Sequence, residues 1–250
     1  MLLALNVGNS QTDIGVLNGD VLIHHWRVST AVDRTPDEYA LLLRGLLNPV
    51  AAHVTSAALA SVVPAVAMSL GIALADMVDT LLTVGPGVKT GMPMSVDNPR
   101  EVGADRVASA VAAKAFYGYP VVVVGFGTAI TVDVVGPDGA FVGGAIASGL
   151  DISLDALVDS TAALRRVALT PPEHVIGRNT VEAIQSGMVY GYAGLVDGLV
   201  TRALTELGSD AVLVATGGGA GTLVPLLGRE YAVDDVLVLR GLGLLSERNR

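Results

Sequence analysis

Residues 2–28 run LLALNVGNSQTDIGVLNGDVLIHHWRV. Three apolar runs in this stretch, Leu2–Val7, Ile14–Leu17 and Leu22–Val28, are separated by short segments that contain Gly, Asn and Asp. Short polar turns between apolar runs predict consecutive antiparallel strands, and the Asn-Gly pair at residues 18–19 favours a tight hairpin turn. We therefore expect a three-stranded meander here, and not a strand followed by a crossover helix.

The same layout recurs in the second half of the chain, at Val121–Val124, Thr131–Val135 and Ala140–Ile146. Aligning Asn6–Ser10 with Gly125–Ala129 superimposes both hairpins at one offset. Such self-similarity indicates an internal repeat, and it predicts two similar subdomains that face each other across a cleft. The alternative is a chance similarity between two β-hairpins, since hairpin signals are common.

The remaining sequence is typical of an α/β protein. Apolar runs such as SAALASVVP, VVVVGFG, VLVATGGG and VLVLRG predict further strands, with helices between them. We predict helices at Thr35–Leu47, Ala65–Asp76, Pro99–Tyr117, Leu150–Ala163, Asn179–Leu207 and Ala220–Leu227. Because the two meanders are antiparallel, the sheets are expected to be mixed.

The helix predicted from Asn179 begins with a capping residue three positions before Glu182. The helix then carries Gly187, Gly191, Gly194 and Gly198. Small residues at spacings of three and four allow a second helix to approach closely. This pattern predicts subunit or core packing, with a homodimer as the expected result.

Composition excludes several classes of partner. The chain has 15 Lys and Arg against 24 Asp and Glu, a net charge of −9, so no nucleic-acid partner is expected. It has no Cys, and its four His show no paired ligand spacing, so no disulfide and no Cys or His metal site is predicted; we expect a cytoplasmic protein. The uncharged stretch Val54–Ala75 contains Pro64 and Gly71, which predicts a strand and a core helix, and no membrane association.

Three glycine-bearing turns are candidates for phosphate binding, at residues 7–10, 126–129 and 215–219. Backbone amides at such turns can hold phosphate oxygens, and hydroxyl or amide side chains add donors without bulk. One such turn more often reflects turn geometry alone. The order and spacing of all three form a more specific pattern.

With further motifs, these turns make the chain resemble the type III pantothenate kinases, within the superfamily of acetate kinase, sugar kinases, Hsp70 and actin. The motifs are Trp26–Thr30, Ser61–Pro64, Asp97–Arg106, Gly143–Ile146, Ile176–Thr180 and Gln185–Gly187. The resemblance extends from Leu3 to Asn249, and the Asn-Pro-Arg-Glu-Val and Gly-Ala-Asp-Arg motifs within Asp97–Arg106 are its most specific part.

The resemblance implies an α/β fold of two similar actin-like (ribonuclease H-like) subdomains, 1–115 and 116–250. Each is expected to have a mixed sheet with flanking helices, and a small-molecule ligand is expected in the cleft between them. The implied activity is that of a dimeric enzyme of coenzyme A biosynthesis, which transfers the γ-phosphoryl group of ATP to pantothenate with Mg²⁺ and K⁺ or NH₄⁺.

The resemblance also assigns roles to residues. Asp105 corresponds to the general base on the pantothenate hydroxyl, and Arg106, Gly103, Thr180 and Val96 correspond to substrate-binding positions. The phosphate-binding and nucleotide-binding positions are Gly8, Asn9, Ser10, Gly127, Thr128, Thr216, Gly217 and Gly218. The structural alternative for Asp105 is an ordinary carboxylate in the first turn of a helix.

Two positions depart from the family pattern at equivalent places in the two repeats. Asn6 and Gly125 stand where the family has aspartates. Phosphoryl transfer depends on positioning and charge cancellation, so an amide or a glycine in place of a carboxylate weakens metal binding, and no metal ligand is assigned here. Asp13 and Asp133 on the neighbouring strands could compensate only if strand alternation and distance both allow it.

Two smaller departures concern the expected substrate pocket. Val96 stands where many relatives have a tyrosine, and Ser148 replaces a common proline.

The departures lead to two hypotheses. The first is a homologue that has lost efficient phosphorylation of pantothenate. In one version it binds a ligand without turnover, as a pseudokinase or regulator. In the other version it uses Asp105 in a different, metal-independent reaction. The alternative is an active type III pantothenate kinase that uses ATP, Mg²⁺ and K⁺ or NH₄⁺. A purely structural role would leave the match to the family's pocket residues without a reason.

Overall fold

The computed structural model describes residues 1–48 and 50–250. They divide into two compact units, the first comprising residues 1–116 and 236–250 and the second residues 117–235. Segment 236–250 thus lies with the first unit, and the predicted second subdomain, 116–250, is wrong in including it. The reason is that this segment is a helix whose leucines are buried in the first unit.

The chain alternates strands and helices. The strands are β1 (Leu2–Val7), β2 (Gln11–Asn18), β3 (Val21–Ser29), β4 (Ser56–Ser61), β5 (Thr80–Thr83), β6 (Val121–Phe126), β7 (Ala129–Val135), β8 (Phe141–Ser148), β9 (Val212–Thr216) and β10 (Ala232–Val233). The helices are α1 (Pro36–Leu47), α2 (Pro64–Ala75), α3 (Ala104–Tyr117), α4 (Leu150–Asp159), α5 (Thr180–Leu207), α6 (Ala220–Leu223) and α7 (Leu237–Arg248).

The first unit is built on a five-stranded sheet in the order β3-β2-β1-β4-β5. Strands β1, β2 and β3 are antiparallel, which confirms the predicted meander, and β4 and β5 run parallel to β1. Alternate residues of β1 face opposite sides of this sheet. Leu3, Leu5 and Val7 pack against α1 and α2 in the main core of the unit.

The opposite face of this sheet packs against α7. Leu239 of α7 lies against Gly15 of β2, where an added Cβ would come within 2.9 Å of the leucine Cδ1. Asn6 and Asp13 occupy the same sheet face nearer the carboxyl end of β1, and both remain partly exposed.

The second unit repeats this topology, with a five-stranded sheet in the order β8-β7-β6-β9-β10. Strands β6, β7 and β8 are antiparallel, and β9 and β10 run parallel to β6. Both meanders have a β-bulge at the equivalent place, between Val16 and Leu17 in one and between Val134 and Val135 in the other. The predicted internal repeat is therefore confirmed as a repeat of structure.

The single alignment offset is wrong for the second strand of each repeat. Asn6 pairs with Asp13, whereas its equivalent Gly125 pairs with Thr131. The turn between the paired strands is one residue shorter in the second unit, so Asp13 corresponds in space to Thr131.

Three other expectations are corrected. The run VLVLRG begins α7 and forms no strand, because its apolar residues continue into a helical face that is buried. The helix predicted from Pro99 begins at Ala104, because Pro99–Glu101 forms a separate 3₁₀ turn. The helix predicted to reach Ala163 ends at Asp159. Residues 54–75 supply β4 and α2, and none of the helices in residues 1–48 and 50–250 is long and apolar enough to cross a membrane.

Candidate active site

The first glycine turn is held in place by Thr30. Gly8 N donates to the Gln11 carbonyl oxygen (2.9 Å), while Thr30 Oγ1 donates to the Gly8 carbonyl (2.7 Å) and Thr30 N donates to the Ser10 carbonyl (3.0 Å). Asn9 and Ser10 are exposed at the tip of this turn. The turn therefore presents two polar side chains from a fixed backbone.

A row of polar side chains crosses the sheet beside this turn. The register places Asn6 directly opposite Asp13, and Asp13 directly opposite Arg27, so the three side chains share one sheet face. Arg27 Nε donates to Asp13 Oδ1 at 2.9 Å, and His25 Nε2 lies 3.0 Å from the same oxygen. Position 6 thus carries an amide, and the carboxylate of this row is that of Asp13 on the next strand, paired with a cation.

The equivalent row in the second unit has no carboxylate. Gly125 lies between Thr131 on one side and Thr216 on the other. A Cβ added to Gly125 would lie 2.7 Å from Thr131 Oγ1, so the threonine hydroxyl occupies the space beside the glycine. Asp133 pairs with Val123, two residues before Gly125, and it is 1% exposed. Asp133 is therefore on a different row and is buried.

The glycine turns of the second unit contact each other. Gly219 N donates to the Phe126 carbonyl (3.1 Å), and Gly149 N donates to the Thr128 carbonyl (2.9 Å). Gly217 has φ +94°, and a Cβ there would lie 2.6 Å from the Phe126 oxygen, so only glycine allows this approach. The structure thus brings together the predicted positions Gly127, Thr128, Thr216, Gly217 and Gly218 at the carboxyl ends of β6 and β9.

Asp105 lies in the first turn of α3, as part of the first unit. Its Oδ1 accepts a hydrogen bond from Arg106 N (2.9 Å), and it packs over Gly103, where an added Cβ would lie 2.6 Å away. Gly103 therefore leaves room for the carboxylate. Asp105 and Arg106 are both partly exposed, so the carboxylate can reach a ligand. Val96 is partly exposed on the segment that leads into this turn.

Thr180 is an exposed residue at the start of α5. The preceding Asn179 caps the helix, as predicted: its side chain accepts from Glu182 N at 3.0 Å. Thr180 borders an apolar cavity of about 360 Å³ between α4 and α5, lined also by Leu157, Ile184 and Met188.

Ser148 ends β8, and its hydroxyl takes part in a small polar network. Ser153 Oγ donates to Ser148 Oγ at 2.7 Å, and Tyr192 Oη lies 3.1 Å from the same atom. The serine therefore links the end of β8 to α4 and α5.

The rows at Asn6 and Gly125 offer Mg²⁺ few protein ligands. Mg²⁺ at a phosphoryl-transfer site is usually held by one or two carboxylates together with substrate phosphates and water. The residues that the structure describes contain no group of three or more His, Asp or Glu placed to hold a metal. In the first unit the available carboxylate is that of Asp13, which is already neutralised by Arg27.

The partners of Asp13 were missed from the sequence, although Arg27 lies within a recognised motif. Counting residues outward from the turn at Gly8 would have placed Asn6, Asp13 and Arg27 in one row. The extra residue in the first turn made that count ambiguous.

Comparison with known proteins gives consistent results. The sequence profile described as type III pantothenate kinase matches residues 2–202. A protein of that name from Anaeromyxobacter sp. (strain K) is 48% identical over 256 residues, covering 100% of both chains. One from Frankia alni is 47% identical over 251 residues, also covering 100% of both.

Similar solved structures show the fold. A Campylobacter jejuni protein assigned to the Baf family of transcriptional activators has a TM-score of 0.64 at 17% identity, covering 99% of this chain and 98% of that one. The activator of 2-hydroxyisocaproyl-CoA dehydratase from Clostridium difficile has a TM-score of 0.54 at 12% identity, covering 99% and 95%. Together with the two mixed sheets, these similarities confirm the predicted fold class of two actin-like units.

Proposed function

The chain belongs to the type III pantothenate kinase family, and from this membership we propose that it keeps the family's ligand-binding residues but has lost efficient ATP-dependent phosphorylation of pantothenate. The observation that carries the proposal is the pair of equivalent rows at Asn6 and Gly125. One row holds a carboxylate already paired with Arg27, and the other holds two threonines and no acid.

The energetic argument concerns charge in the transition state. Phosphoryl transfer is catalysed mainly by positioning and by cancelling the developing negative charge. Removing one electrostatic contributor typically costs about 10²–10³ in rate. Losing two of them leaves little activity, even if their effects are not additive.

The ligand-binding role is supported by the surroundings of Asp105. Gly103 makes room for its carboxylate, and in the second unit the glycine turns lie close together at the carboxyl ends of β6 and β9. Residues of this kind can bind pantothenate or a related acid without turnover. It can also support a metal-independent reaction in which Asp105 acts as general base.

A second candidate is an active pantothenate kinase. It is favoured by the full-length identity of 47–50% to relatives that bear this name. ATP, Mg²⁺ and K⁺ or NH₄⁺ would then be required.

Release of ADP and phosphopantothenate distinguishes the candidates. The assay compares the unmodified chain with Asn6→Asp/Gly125→Asp, in the presence of pantothenate, ATP, Mg²⁺ and K⁺. We expect little turnover from the unmodified chain and an increase of about 10²-fold or more in the double variant. Asn6→Asp/Gly125→Asn is the matched control, because it fills the same space beside Thr131 without the second charge. Rapid turnover by the unmodified chain would instead establish the active kinase.

Asp105→Ala separates the two forms of the proposal. It abolishes a reaction that uses Asp105 as base, whereas a purely binding role survives it. The measurement is the biological activity of the variant in cells that depend on the protein.

We also propose that the chain forms a homodimer through α5. Gly187, Gly191 and Gly194 are exposed on this 28-residue helix, and apart from the helix itself no described atom lies within 4 Å of a Cβ added there. A second copy of the same helix could pack closely along this stripe.

Light scattering should give the mass of a dimer, and Gly191→Leu should shift it to the monomer. Gly208→Leu is no suitable control because of its φ of +67°, so Gly45→Leu, on the exposed face of α1, is used instead. A monomeric unmodified chain would contradict the proposal.

A further inference from the structure

The end of α7 holds a loop that is distant in sequence. Lys89 N donates to Asn249 Oδ1 at 2.9 Å, and Asn249 Nδ2 donates to the Lys89 carbonyl oxygen at 3.0 Å. The amide side chain therefore satisfies both backbone groups of Lys89, as a neighbouring strand would. Asn249 Nδ2 also donates to the Leu245 carbonyl at 2.8 Å, which fixes the side chain to its own helix.

Arg248 makes a second attachment to the same loop. Its Nη1 donates to the Thr90 carbonyl oxygen. Its guanidinium also covers Gly91, because a Cβ added there would lie 3.0–3.1 Å from Cζ, Nε and Nη1. Gly91 has φ +66°, so glycine is needed both for the backbone conformation and for the approach of the arginine.

Helix α7 also packs against α3, which begins at Ala104 after the segment that follows this loop. A Cβ added to Gly241 would collide with the Ala108 carbonyl, so α7 and α3 pack backbone to backbone. The Arg240 guanidinium lies 3.7 Å from the centre of the Phe116 ring, also on α3. One rigid helix thus contacts both the loop at residues 89–91 and the helix that begins with Asp105.

Between these two attachments runs segment 92–103. It carries Val96 and Gly103, and Asn98 caps its 3₁₀ turn by accepting from Arg100 N at 3.3 Å. Met92 is buried and anchors the start, but most of the segment is irregular and exposed. Met94 makes one isolated backbone bridge, so the position of the segment relative to Asp105 depends on this bridge and on how the two ends are fixed.

We propose that Arg248 and Asn249 are positioning residues for the substrate segment 92–103. They act through the backbone of Lys89 and Thr90, and they hold this segment in register with Asp105 through the rigid body of α7. The inference rests on the proposed function in that Val96 and Gly103 are taken as ligand-binding positions.

The test uses Arg248→Ala/Asn249→Ala in the full chain. Hydrogen exchange of residues 92–103 should accelerate about tenfold or more, while the core strands β1 and β4 keep their protection. Pantothenate affinity, measured by calorimetry, should weaken about tenfold. In the unmodified chain the segment is ordered before binding, whereas in the variant binding itself must order it. Glu247→Ala/Arg250→Ala is the matched control, since both side chains are exposed beside the two positioning residues.

A graded variant makes the test sharper. Asn249→Asp keeps an acceptor for Lys89 N and loses the donor to the Lys89 carbonyl, so its effect should lie between those of the unmodified chain and the double variant. In the Asn6→Asp/Gly125→Asp background, the double variant should raise KM for pantothenate more than it lowers kcat.

Three results would overturn the inference. These are unchanged exchange in residues 92–103, unchanged affinity despite faster exchange, or an equal loss of protection throughout the core, which indicates a merely structural role. Failure of the unmodified chain to bind pantothenate counts against the proposed function instead. In that case the exchange of residues 92–103 alone decides whether α7 orders the segment.

Discussion

The hydroxyl of Tyr231 is buried and has no hydrogen-bond partner among the described residues. Burial, together with the nearby Asp197 carboxylate and against a smaller opposing effect of Arg229, raises the pKa of Tyr231 from its ordinary value of 10.0 to about 12. The folded state therefore keeps this proton at a pH where the unfolded state has lost it. The resulting stability is complete below pH 10 and is lost as the pH rises toward about 12.

Tyr231→Phe should reduce this alkaline loss of stability. At pH 7 the variant should be as stable as the unmodified chain or more stable, because the removed hydroxyl was buried and unpaired. Tyr190→Phe is the contrast, since Tyr190 Oη donates to the Pro172 carbonyl at 2.6 Å and its loss should cost about 1 kcal/mol. Urea unfolding at pH 7 and pH 11 measures both effects. A large loss at pH 7 in Tyr231→Phe would show that the hydroxyl has a partner in solution.

Among the elements, α5 depends on its first turn. Asn179 Oδ1 accepts from Glu182 N, and Glu182 Oε2 accepts from Arg178 N at 2.8 Å. Asn179→Ala removes the cap and should destabilise the protein by about 1 kcal/mol. In a chain of this size the melting temperature should fall by about 2–4 °C in a thermal scan.

Thr180→Ala is the matched variant one residue further on. Thr180 is exposed and does not cap the helix, so the melting temperature should stay within about 1 °C. Under the proposed function its pantothenate affinity should nevertheless fall. Equal melting temperatures for the two variants would show that the cap contributes little to stability.

At the scale of the whole molecule, the first unit is discontinuous in sequence. Leu237, Leu239, Leu242 and Leu245 of α7 are buried, and they lie more than one hundred residues beyond the rest of their unit. A fragment of residues 1–116 lacks this helix and should fail to fold, because the face of β1 and β2 that α7 covers would be exposed.

A single chain should fold if a short glycine and serine linker connects residues 1–116 to residues 236–250. The contact of Arg240 with Phe116 places the two segments near each other, so a short linker suffices. Circular dichroism melts of the two fragments check this. Cooperative unfolding of residues 1–116 alone would show that α7 is dispensable for the unit.

The site was predicted less completely than the fold. Motifs located Asp105, the glycine turns and the two departures at Asn6 and Gly125, because these are matters of residue identity. The pairing of Asp13 with Arg27 and the packing of Thr131 beside Gly125 depend on strand register, and the two turns differ by one residue. The contact of Asn249 with Lys89 joins residues so distant in sequence that no local pattern indicates it.

Local residue patterns are sufficient to predict the two meanders, their repetition and the cap of α5, because turn residues and capping residues act on their immediate neighbours. Long-range packing, in contrast, makes the run VLVLRG the start of α7 and places this helix in the first unit. A short apolar run suits a buried strand and a buried helix equally well. The choice is made by the surface that the run covers, here the sheet face at Gly15 and the backbone of α3 at Ala108.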